Sequence, residues 1–208
     1  MDRWQRWSPA SGILFVVLFL VASAVVGTTG DTPEEVRDYY AANEGSAVSG
    51  FFLLVASSLA LLWFVATVRS RMARVEAEPR SVTALGYGAG VAASALIVAG
   101  SAVFVAPVDL ARDGGRLDPG AADALDSAAF LLVAAGVMVA SLFVLATSLV
   151  ALRTRALPRW LAFVGLVVAP ITFFAPLFFP VLLFLAWVAV LSGVLLVRPA
   201  GGRAPARP

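Results

Sequence analysis

Residues 157–197 read LPRWLAFVGLVVAPITFFAPLFFPVLLFLAWVAVLSGVLLV, and after Arg159 no charged residue interrupts them. A helix rises about 1.5 Å per residue, and a hydrocarbon core about 30 Å thick takes roughly 20 residues. The stretch is therefore about twice the length of one crossing. Pro170, Pro176 and Pro180 fall in its middle, where each removes a backbone donor and opposes continuation of a helix. These residues predict a hairpin of two spans, about 157–174 and 177–197, turning near Phe174 to Leu177.

Working back along the chain, four more apolar runs approach membrane-spanning length, at about 10–28, 48–68, 83–104 and 127–149, and none contains a charged residue. Composition agrees with lipid as the solvent. Of 208 residues, 61% are hydrophobic and 13% charged, against roughly 25% charged in a soluble domain. The expected fold class is all-α: a polytopic transmembrane bundle of six helices forming a single transmembrane domain over residues 1–208.

Arginine placement tests the count separately, because retained cytoplasmic loops collect basic residues. The chain has no lysine, and its 15 basic residues are all arginine. Twelve of them lie in the N-terminal segment (Arg3, Arg6), the second connection (Arg69, Arg71, Arg74, Arg80), the fourth (Arg153, Arg155, Arg159) and the tail (Arg198, Arg203, Arg207). The first and third connections hold ten of the 13 acidic residues and three arginines. With Asp2, Glu76 and Glu78 included, one side carries a formal +9 and the other −7. Only a split final stretch returns the basic tail to the basic side, so six crossings are expected, with both ends cytoplasmic in an inner (plasma) membrane. The charge reports topology; no nucleic-acid partner is expected. Arg3 and Arg6 before an apolar run ending near Ala22-Ser23-Ala24 resemble a secretory signal, but the run continues through Val25 and Val26, so a retained first span is the expectation. Trp4 and Trp7 suit an interfacial aromatic belt.

Between the first two spans, Thr32-Pro33-Glu34-Glu35 reads as a helix start. Threonine serves as N-cap, proline as the first helical residue and Glu35 as the closing member of a capping box. The short helix is expected to run to about Asn43, with Val36, Tyr39 and Tyr40 on a face resting on the bilayer and Glu34, Glu35 and Asp38 wet. It is read as a capped lead-in to the second span, in preference to a lid over an external cavity. Asp118-Pro119 reads likewise as a cap that starts the fourth spanning helix before the membrane.

Thr83-Ala84-Leu85-Gly86-Tyr87-Gly88 resembles a potassium-channel filter only superficially, since its spacing is one residue too long and it falls near the basic face. Gly86, Gly90 and Ser94 form instead a small-residue line for close helix approach, as do Gly136 and Ala140. Asp109, Asp113, Asp118, Asp123 and Asp126 lack the spacing of a calcium loop and are read as a solvated outer segment.

The absence of Cys and His excludes thiol chemistry, histidine-ligated haem, Ser-His triads and imidazole shuttles. Without Lys, side-chain Schiff bases are excluded too. With no charged residue at membrane depth, a proton-coupled pathway is not expected. The span hydroxyls, among them Ser57, Ser58, Ser94 and Ser148, are expected to bond to their own helix or a neighbour. No catalytic, cofactor-binding or metal-ligating residue is assigned, no cofactor is expected, and the chain is read as a non-enzyme.

The acidic segment with Thr32-Pro33-Glu34-Glu35 and Tyr39-Tyr40-Ala41-Ala42-Asn43, followed by the Leu157-Pro158-Arg159-Trp160 entry to the hairpin, resembles the small multi-pass membrane proteins of high-GC bacteria that carry a domain of unknown function. The resemblance implies six helices and no particular reaction. The expectation is a membrane component that assembles with lipid, with a membrane-protein partner or with itself. The alternative is a small permease or channel for a neutral or apolar solute, gated by the external helix and the proline-broken hairpin.

Overall fold

The computed structural model describes residues 7–76, 80–112, 117–177 and 179–197. The described secondary structure is helical throughout: α1 (Ala10–Val26), α2 (Pro33–Ala42), α3 (Glu44–Met72), α4 (Ser81–Arg112), α5 (Pro119–Thr154), α6 (Arg159–Thr172), a 3₁₀ turn (Ala175–Leu177) and α7 (Phe179–Val197). Four helices (α3, α4, α5 and α7) are long and apolar enough to cross a membrane, while α1 and α6 are shorter apolar helices. With the short α2 outside the count, the chain is a multi-pass helical membrane bundle.

The six apolar helices alternate in direction. Their ends sort into an arginine-rich and an acidic group. At the arginine-rich end the Ser192 hydroxyl reaches the Pro9 carbonyl, Trp63 Nε1 donates to Ser8 Oγ at 3.1 Å and Arg71 Nη1 donates to the Leu195 carbonyl at 2.9 Å. These contacts draw together the start of α1 and the last turns of α3 and α7. The hairpin predicted from the three prolines is present as α6, turn and α7.

The bundle centre is close-packed. Phe15, Leu61, Phe64, Val65, Ile97, Phe143, Val144, Leu161, Phe184, Val188 and Leu191 are each at most 2% exposed. Aromatic rings meet across it, with centroids 6.0 Å apart for Phe15 and Phe184, 6.3 Å for Phe64 and Phe143 and 6.0 Å for Phe143 and Trp187. Several span hydroxyls turn inward to backbone, as expected: Ser57 donates to the Phe15 carbonyl, Ser58 to Ser94, Ser94 to Gly90 and Ser148 to Val144. The buried Thr172 hydroxyl departs from the expectation and meets no partner among the described residues.

The small-residue lines are used inside the chain. A Cβ on Gly90 would collide with the Val65 side chain of α3, one on Gly86 would lie 2.9 Å from Ala146 Cβ of α5, and one on Gly136 would lie 2.9 Å from the Ala93 carbonyl oxygen of α4. Helix α4 is thereby held between α3 and α5 at backbone range.

One boundary differs from the sequence reading and another follows it. Helix α4 continues through Pro107 to Arg112 instead of stopping near Phe104. The added turn carries Val108, 1% exposed, into a second small core with Val36, Tyr40, Phe104 and Ala122, and this burial outweighs the lost donor of Pro107. In α5 the Asp118 carboxylate accepts from Ala121 N at 3.0 Å, so the cap predicted at Asp118-Pro119 does start the helix before the apolar run.

Helix α6 has 14 residues and so rises about 21 Å. The turn beyond it is apolar: Phe173, Phe174 and Leu177 are 54%, 57% and 73% exposed. The turn closes its own backbone bonds, Phe174 N to the Ile171 carbonyl and Leu177 N to that of Phe174, both at 3.0 Å. Non-helical backbone at membrane depth requires such closure, or burial against protein. Ala175, fully buried, meets the second condition.

Candidate functional site

The short hairpin leaves space above it. A cavity of about 380 Å³ lies at the acidic end, lined by α1 (Phe19 to Val26), the Gly27–Thr29 loop, Leu54 of α3, Gly100 and Phe104 of α4, α5 from Asp126 to Ala134, and Ala175 and Val181 of the hairpin. That volume falls within the range of small-molecule sites, roughly 300–1,000 Å³. Helix α1 packs on α3 and α7, and α5 packs on α4 and α6, so the cavity is the gap between α1 and α5. From Asp126 to Ala134 it descends roughly 12 Å along the helix. Its lower boundary is formed by Phe19, Ala134 and Ala175, all buried. Beneath them lies the aromatic core, which separates the cavity from the arginine-rich end. The lining residues Ser23 and Phe130 are themselves exposed, so the cavity opens sideways as well as towards the acidic end.

The walls are almost wholly apolar, and the charged group among the lining residues is Asp126, at the rim. Thr29 Oγ1 donates to Asp126 Oδ2 at 3.0 Å, and Tyr40 Oη donates to Asp126 Oδ1 at 2.7 Å. Among the described residues no arginine pairs with it; an ion pair at this end joins Arg37 to Asp38 at 2.5 Å. Burial first, and then the hydrogen bond to Asp126 and its negative charge, push the Tyr40 phenol far above its usual range. Tyr40 therefore keeps its proton and remains a donor. Tyr39, raised by burial and by the Asp126 charge, donates to the Val26 carbonyl at 2.8 Å.

Helix α2 is thus fastened to both sides of the cavity mouth. Its capping box is present: Thr32 Oγ1 accepts from Glu35 N, and Glu35 Oε2 accepts from the N–H groups of Thr32 and Asp31. Only Asn43 separates it from α3, so it is the lead-in that the sequence suggests. Its apolar face, however, does not rest on lipid. Val36 and Tyr40 are 2% and 1% exposed and pack in the second core on α4 and α5, with the Tyr40 ring 5.5 Å from Phe104. None of its described residues lines the cavity; it holds Asp126 in place rather than covering the opening.

Asp126, read from sequence as part of a solvated loop, is the residue that the sequence reading missed. It lies 97 positions from Thr29 and 86 from Tyr40, and no local pattern joins them. Gly86 and Gly90, singled out for packing, lie elsewhere, and among the described residues no three acidic side chains converge as a metal site would require.

The bonds from Asp31 N–H and then Thr32 N–H hold the Glu35 carboxyl below the usual 4.5. With its folded value lowered, the cap is fully present above the unfolded value and is lost as pH falls through the folded one. Amide exchange in the first turn of α2, corrected for intrinsic rates, should therefore accelerate below pH 4.5 in the native chain. In Glu35→Gln that acceleration should be absent. A Gln variant retaining the full pH dependence would remove the cap from this account.

Comparison with protein families, with curated proteins and with solved structures finds no match to this chain.

Proposed function

We propose that the chain is a non-enzymatic component of the inner (plasma) membrane, with its arginine-rich end cytoplasmic, that engages bilayer lipid through the cavity at its acidic end. The observation that carries this reading is the cavity itself, which is apolar-walled, open to the side and closed beneath by packed aromatic side chains. A permease would need a route onward, and the filled centre speaks against one. Assembly through the small-residue lines is disfavoured because Gly86, Gly90 and Gly136 already meet neighbours within the chain. The orientation is supported by the +9 and −7 division of charge.

Two measurements test the reading. Native mass spectrometry of the full chain, released gently from its membrane, should show one retained lipid per chain. Val181→Trp, which fills the cavity from a half-buried position, should lose it. Equal retention by both would remove the cavity from the reading. Because the chain has no cysteine, orientation can be read from single reporters. Ala41→Cys should react with an impermeant maleimide on intact cells and Ala156→Cys only after permeabilisation; the reverse pattern would invert the topology.

A further inference from the structure

The rim of the cavity differs chemically from its walls, and that difference bears on which lipid fits. Asp126 presents a carboxylate whose two oxygens each accept one hydroxyl hydrogen bond. A carboxylate offers about four acceptor positions, so acceptor capacity remains. The residues around it are acidic: Asp31, Glu34, Glu35, Asp38, Asp118 and Asp123 share this end, and Arg37 is engaged with Asp38. A net-anionic headgroup is repelled here, whereas the ammonium end of a zwitterionic, net-neutral one is attracted. Below the rim, Phe19, Val26, Phe104, Phe130 and Val133 offer only apolar surface, suited to an acyl chain entering sideways from the bilayer past Ser23 and Phe130.

We propose that the cavity receives an acyl chain of a phospholipid whose ethanolamine ammonium group hydrogen-bonds to Asp126. This rests on the lipid-binding reading above and adds headgroup selection to it. The ammonium donates N–H bonds to the remaining acceptor positions of Asp126. A choline headgroup carries the same charge but has no N–H to donate, and a glycerol headgroup leaves the lipid anionic. Charge-assisted hydrogen bonds of this kind correspond to a preference of about tenfold or more. Tyr40 and Thr29 act as positioning residues, fixing the carboxylate at the mouth.

The test uses the full chain reconstituted in nanodiscs with equal amounts of phosphatidylethanolamine, phosphatidylcholine and phosphatidylglycerol bearing identical acyl chains, followed by native mass spectrometry of the lipid retained on release. The native chain should keep phosphatidylethanolamine over the other two by about tenfold. Asp126→Asn, whose amide can still bond Tyr40 and Thr29, should keep a lipid and lose the distinction between ethanolamine and choline. Tyr40→Phe, which weakens the positioning of α2 and leaves the carboxylate, should keep the distinction. A native chain that retains lipid without headgroup preference, or that prefers phosphatidylglycerol, overturns this inference and leaves the lipid-binding reading standing. An Asp126→Asn variant that still prefers ethanolamine overturns it equally, and a native chain that retains no lipid overturns both.

Discussion

Gly136→Leu is expected to destabilise the bundle by about 3 kcal/mol or more, the upper range for overpacking a close-packed interior. A Cβ at this position would stand 2.9 Å from the Ala93 carbonyl oxygen, 3.0 Å from Ile97 Cγ1 and 3.3 Å from Leu96 Cβ. The first of these is backbone and cannot rotate away, so the whole of α4 would have to retreat from α5. Those two helices form the most extensive pair in the chain, and their separation would loosen α3 as well, since α3 packs on the other side of α4 through Val65 and Gly90. Gly88→Leu is the matched control: Gly88 is exposed, and a Cβ there meets nothing within 4 Å. Thermal unfolding of both variants in one detergent, followed by size-exclusion, should show a large drop in midpoint for the first and little change for the second. Equal midpoints would mean that the backbone approach of α4 and α5 is not as described.

Asp126→Ala is expected to release α2. Tyr40 is 1% exposed, and without Asp126 its hydroxyl has lost its acceptor. Removing a charged acceptor from a buried donor costs about 1.5–3 kcal/mol. That shifts the population in which α2 is detached by roughly ten- to a hundredfold. Arg37 lies in the middle of α2, so trypsin applied to the acidic face of chains in nanodiscs reports that population as long as reclosing outpaces cleavage. Cleavage after Arg37 should rise by about that factor in Asp126→Ala. It should rise less in Tyr40→Phe, about fivefold, because there the orphaned group is a half-buried carboxylate within reach of water. Unchanged cleavage in Asp126→Ala would show that α2 is held by its apolar face alone.

The fold was legible where a residue type has one physical use. Twelve arginines on alternate connections agree with the six apolar helices of the bundle, because a guanidinium at membrane depth is costly. Three prolines within 11 residues locate the hairpin, and Thr32-Pro33-Glu34-Glu35 has the hydrogen-bonding groups of a helix start and forms one. Legibility ended where a single pattern serves two surroundings. Val36, Tyr39 and Tyr40 make the same apolar stripe whether lipid or protein covers it, and here it is protein. The cavity was hidden for a related reason. Its walls, Phe19, Phe104, Phe130 and Val133 among them, are the same letters that fill a packed interior, so they do not reveal a gap above Ala175. The rim depends on contacts that span 86 and 97 positions, which no periodicity encodes.

The brevity of α6 also bears on the surrounding bilayer. About 21 Å of helix beside a hydrocarbon layer of about 30 Å leaves a mismatch at α6, whereas α4 and α5 have 32 and 36 residues. Lipids against α6 tilt or shorten to meet the Phe173, Phe174 and Leu177 tip, while those against α4 need not. The bundle is best accommodated where the bilayer is already thin.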